Sequence, residues 1–60
     1  MTNEMKIETI AVMESSIVKH EKTITDCLYS RNYGFDLEFA QNARDRLVAG
    51  IAKLKMEIAA

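Results

Sequence analysis

Alternating steps of three and four residues organise the first half of the chain. Ile10, Met13, Ile17, His20, Ile24 and Cys27 fall on that spacing, which puts them on one stripe of an α-helix, at the seam positions of a coiled coil. The second half repeats the arrangement with Leu37, Ala40, Arg44, Leu47, Ile51, Leu54 and Ile58. The pattern predicts an all-α fold, an antiparallel hairpin with helices at about 3–32 and 37–59.

No proline interrupts either stretch, so the helix ends must be read from other signals. Arg31 and Asn32 suit a last turn with its exposed carbonyls. Gly34 is expected in the left-handed conformation just past the C-cap, with Phe35 folding back on Tyr29. Asp36 is a good N-cap for the second helix, and Glu38 falls in its first turn. A stop and a start this close describe a hairpin with a very short connection. Turning near Tyr33 and Gly34, the hairpin pairs Cys27 with Ala40, Ile24 with Arg44, His20 with Leu47, Ile17 with Ile51, Met13 with Leu54 and Ile10 with Ile58.

Apolar residues remain off the seam: Ile7, Val18, Leu28, Tyr29, Phe39, Ala43, Val48, Ala52 and Met56. They widen each stripe toward the face a bundle helix uses. Ala43, Gly50 and Ala52 are small enough to admit another helix. Gly50 costs a helix up to ~1 kcal/mol relative to Ala unless a close contact compensates. A chain of this length buries only about 60% of its unfolded surface, so an aid to stability is expected: a disulfide, a metal or association. The single cysteine excludes an internal disulfide, and one His with one Cys leaves a metal site short of ligands. Association remains. The expected assembly is a homodimer forming a four-helix bundle, or failing that a higher even-numbered oligomer, built from one helical-hairpin domain over residues 1–60.

Charge adds little direction. The net charge is −1, with four basic and five acidic residues over 1–33 and four of each over 34–60. No strongly basic footprint points to nucleic acid, and no acidic tail is present. The longest apolar run, Ile10 to Met13, is far short of the roughly 20 residues a membrane span needs. The first residues lack the layout of a signal peptide, and a lone Cys27 fits a reducing compartment. A cytoplasmic protein without membrane contact is expected.

Candidate chemistry is sparse. His20 with Ser16 one turn before it has the residue types of a general base and a hydroxyl. No oxyanion hole or orienting acid accompanies them, so His20 reads as a core histidine hydrogen-bonded across the bundle. His20 and Cys27 stand two turns apart, roughly 10 Å, too far to share one ion. Cys27 reads as a small hydrophobe. Arg44 lays its stem on Ile24 and keeps its head in water or near Asp26 or Asp45. Lys19 and Lys22 lie on an outer face, interspersed with Glu14, Glu21 and Asp26. No cofactor is implied, and no enzyme is expected. The densest cluster lies at the turn, where Tyr29, Tyr33, Phe35 and Phe39 gather all four aromatics and Arg31, Arg44 and Arg46 lie nearby. Arg and Tyr are enriched at binding hot spots. Tyr29, Arg31, Tyr33, Phe35, Phe39 and Arg46 are therefore the candidate partner-binding residues, with a plug over the bundle end as the plainer role.

In length, hairpin and dimer logic the chain resembles the plasmid copy-number Rop family, whose helical-hairpin dimers bind paired RNA loops. That resemblance implies structured-RNA binding through Lys19, Lys22 and the neighbouring helix faces. Small sporulation aspartyl-phosphate phosphatases are also helical hairpins, with a Ser-Gln-Glu-Leu-Asp motif early in the second helix. Here Ala40-Gln41-Asn42-Ala43-Arg44 stands at that place and keeps only the Gln, so their activity is not expected. The stretches MKIETIAVMESSIVKHEKTI and NYGFDLEFAQNARDRLVAGIAKLKMEI are similar to small early proteins of lambda-like temperate phages, encoded between the recombination and excision genes. This similarity implies a non-enzymatic helical protein that redirects host or phage regulation toward lytic growth through protein contacts. The leading expectation is such a homo-oligomeric interaction module in the host cytoplasm, contacting a host or phage protein. Structured RNA is the alternative partner.

Overall fold

A computed structural model describes residues 1–60 as two antiparallel helices, α1 (Asn3–Tyr29) and α2 (Phe35–Ala59), packed along their whole length. The hairpin measures 42 × 14 × 14 Å, a rod two helices wide. Every position of the two seams is buried or half-buried, and all six buried residues belong to them: Ile10, Ile24, Cys27, Leu37, Ala40 and Ile51. Burying an Ile or Leu contributes ~1.5–3 kcal/mol. The tightest packing lies beside the connection, where Ile24, Cys27, Leu37 and Ala40 form one cluster.

Each helix begins with favourable charge. At α1 the Thr2 hydroxyl accepts a hydrogen bond from the Met5 N–H (3.2 Å), and Glu4 lies in the first turn. Asp36 and Glu38 lie in the first turn of α2. Asp36 is thus inside the helix, and the N-cap is Gly34, which has no side chain to offer the exposed N–H groups.

The connection departs from the expectation that Gly34 ends the first helix. α1 stops at Tyr29, three residues earlier than expected, and α2 starts at Phe35, two residues earlier. Arg31, not Gly34, takes the left-handed conformation, with φ 60°. The Asn32 N–H donates to the Cys27 carbonyl (2.8 Å) and the Arg31 N–H to the Leu28 carbonyl (3.3 Å). These are the two bonds of a Schellman ending. Ser30 adds to them, its N–H and its hydroxyl both donating to the Asp26 carbonyl (3.0 and 2.8 Å). Arg31 and Asn32 therefore lie beyond the last turn of α1. Phe35 does not fold back on Tyr29; it opens α2 and stacks on Phe39 one turn later, with ring centroids 6.0 Å apart.

The earlier turn moves the register by one helical turn. Ile24 and Cys27 share one cluster with Leu37 and Ala40, and Met13 lies at Gly50, where the sequence pairs Ile24 with Arg44 and Met13 with Leu54. The shift persists to the open end, where the Lys6 ammonium lies 3.8 Å from a Glu57 carboxylate oxygen. A pattern of threes and fours looks the same after sliding one turn, so the seams still meet. The same register explains Gly50. A Cβ there would stand 2.7 Å from the Met13 terminal methyl, so α1 of the same chain is already a close neighbour.

Candidate interaction surfaces

Two helices cover each other along one line and leave two faces uncovered, and these differ in chemistry. On one face, Ser16 and His20 from α1 and Phe35, Phe39, Ala43, Arg46 and Leu47 from α2 border an open groove of about 610 Å³. A second groove continues it toward the connection, bordered by Thr23, Asp26, Ser30 and Asp36, and shares His20 and Phe39 with it. On the α1 side the small Ser16, Thr23 and Ser30 border these grooves. Thr9, Ser16, Thr23 and Ser30 recur every seven residues, and three of them turn their hydroxyls back onto their own helix. Thr9 donates to the Met5 carbonyl at 2.8 Å and Thr23 to that of Lys19 at 3.2 Å. A hydroxyl satisfied in this way stays close to its own helix and adds little height to the wall.

The opposite face is aliphatic. Val18 and Val48 flank a shallower groove of about 330 Å³ floored by Ile17 and Ile51 and edged by Glu14 and Glu21. Val18 is 67% exposed and Val48 51%. Helical periodicity adds Ile7, Ala11 and Leu28 to this face of α1 and Ala52 to that of α2, and all four are exposed.

Of the six residues expected at the turn, the structure brings three together. Phe35, Phe39 and Arg46 line the same groove, one turn and then two turns apart on α2. Phe35 is 76% exposed and Phe39 59%, so the aromatics do not plug the end of the hairpin. Arg31 and Tyr33 sit exposed in the connection, and Tyr29 is almost fully exposed at the end of α1; none of the three borders the groove. Arg44 does not join Arg46. Its guanidinium holds the Asp45 carboxylate through Nε (3.2 Å) and Nη2 (3.1 Å), the second of the two acids named for it.

His20 borders both grooves of the polar face and is half-buried, yet its imidazole makes no hydrogen bond, either across the hairpin or to Ser16. Cys27 is buried in the cluster with Ile24, Leu37 and Ala40, in apolar company. His20, Asp26, Cys27 and Asp36 all border the second groove, but no three such side chains come within reach of one ion. Lys19 and Lys22 are exposed on α1. No helix is long and apolar enough to cross a membrane.

The chain matches no family model, no curated protein and no solved structure.

Proposed function

We propose that the chain is a non-enzymatic protein-interaction module, a homodimer in the form of a four-helix bundle, whose partner-binding surface is the groove of Phe35, Phe39 and Arg46. The observation that carries this reading is uncovered surface. The hairpin exposes 4715 Å², whereas a compact monomer of 6.8 kDa exposes roughly 3950 Å². The excess, about 750 Å², is close to the ~800 Å² that each partner buries in a standard protein interface. Twelve large hydrophobic residues are exposed, among them Val18 and Val48 on one face and Phe35 and Phe39 on the other.

The stacked Phe35 and Phe39 rings and Arg46, which border the same groove, include residue types enriched at binding hot spots. The similarity to small early proteins of lambda-like phages gives the module a setting: a phage-made modulator of host or phage regulation, acting in the host cytoplasm. A pull-down of the tagged chain from bacterial lysate, with and without RNase, tests this reading. A protein retained after RNase and lost with Phe39→Ala plus Arg46→Ala is the expected result. Capture that disappears with RNase, together with a recovered structured RNA, would replace it with the Rop-like function.

A further inference from the structure

We propose that a second copy of this chain covers the aliphatic face, with both connections at the same end and α1 of each copy lying against α2 of the other. The inference deepens the homodimer reading and rests on it: it states which face pairs and in which orientation.

The face is chosen by its chemistry. Val18, Val48, Ala11 and Ala52 are the small and β-branched aliphatics that fill bundle interiors, and all are exposed in the hairpin. The opposite face carries the hydroxyl stripe and Asp26, Asp36 and Arg46. Covering the aliphatic face removes apolar surface from water and strands few polar groups, whereas covering the other desolvates several.

Charge chooses the orientation. Glu14 and Glu21, near the middle of α1, edge the aliphatic groove. On α2 this side carries Lys55, seven residues beyond Val48, and Arg44, whose guanidinium holds Asp45. On α1 Lys22, one turn after Val18, offsets only one of the two glutamates. A copy turned end for end stacks α1 on α1 and brings Glu14 and Glu21 against their own copies, like charges in a partly dry interface. A copy with its connection at the same end lays acidic α1 on α2. The two-fold axis then runs along the rod, and residues level with each other inside the hairpin are also level between copies. The register of the hairpin sets Met13 at Gly50 and Ile24 at Ala40. Between copies this puts Ala11 level with Ala52, Val18 near Val48 and Glu21 near Arg44. Both Phe35–Phe39 pairs then stand at one end of the dimer, outside the interface, as a doubled surface for one partner.

Disulfide trapping in a Cys27→Ala background tests the arrangement. Chains carrying Ala11→Cys are mixed with longer tagged chains carrying Ala52→Cys under mild oxidation. The expected product is the mixed-length disulfide dimer, dominant over either self-linked product. Dominant self-linking of Val48→Cys would overturn the orientation, and linking only through Phe39→Cys would overturn the face. Either result leaves the homodimer standing. Sedimentation of the unlinked chain as a monomer at all concentrations would instead remove the homodimer itself. A second variant needs no cysteine: Val18→Glu with Val48→Glu raises the dimer dissociation constant roughly a hundredfold or more with helicity kept. Ser16→Glu with Thr23→Glu leaves it within a few-fold. Equal effects of the two pairs would overturn the choice of face.

Discussion

The two uncovered faces of this hairpin are built from the same helices yet suit different tasks. One is lined by small hydroxyl residues, a histidine, a stacked aromatic pair and an arginine. The other presents valine and alanine edged by glutamates. A face of the first kind recognises, because its polar groups reward a partner with matching donors and acceptors and penalise one without. A face of the second kind associates, because apolar burial rewards any complementary aliphatic surface. The difference is a matter of heptad position. On α1 the residues just before each seam pair are Thr9, Ser16 and Thr23, while those just after are Glu14, Glu21 and Leu28 with Val18 beside them.

The sharpest way to break the comparison is to remove what both faces depend on. Leu37→Ala takes a buried side chain out of the cluster beside the connection and should cost about 3 kcal/mol. A chain this small has little stability to lose, so far-UV circular dichroism should show a largely unfolded protein at 25 °C. Next comes separation of the faces. Phe39→Ala with Arg46→Ala should weaken partner binding by about 2 kcal/mol or more, with urea denaturation and dimer mass nearly unchanged. Retained binding would return the aromatic groove to the status of ordinary surface.

Smaller effects test the connection that sets the register. Arg31 holds a left-handed φ of 60°, which costs an L-residue roughly 1–2 kcal/mol. Arg31→Gly should therefore raise stability by about 1 kcal/mol, read as a higher urea midpoint at constant slope. Gly50→Ala removes the helix penalty of glycine but displaces the Met13 methyl, the free end of a flexible side chain. A gain of about 0.5 kcal/mol is expected, and a loss would show that Met13 is held firmly. Smallest is Gly34→Asn. A Cβ there meets only Asn32 Oδ1 at 3.8 Å, and an N-cap oxygen should add a few tenths of a kcal/mol.

The sequence makes some of this legible and hides the rest for physical reasons. The two seams are readable because a helix converts steps of three and four directly into one buried stripe; Ile10, Ile24, Leu37 and Ile51 lie where the spacing puts them. The register is not readable from that pattern, since sliding one turn preserves it. It is fixed by the stop at Arg31, a residue with no intrinsic preference for the left-handed region, while the glycine that has one serves as an N-cap. The Thr2 cap was available to simple inspection, as a hydroxyl residue directly before the first turn.

The candidate site divides in the same way. Phe35, Phe39 and Arg46 share a face because they follow helical spacing within α2. Tyr29, Arg31 and Tyr33 are close in sequence only, since the end of α1 and the connection carry them elsewhere. Off-seam residues such as Val18, Val48 and Phe39 look alike as an apolar excess. Only the side of the seam on which each falls separates the aliphatic face from the face with the aromatic groove.

Sedimentation equilibrium of the unaltered chain, from micromolar to millimolar concentration, tests most directly whether the aliphatic face is closed by a second copy. A mass twice 6.8 kDa is expected at the upper end, falling toward one chain on dilution. A single-chain mass throughout, with the helices intact by circular dichroism, would contradict it.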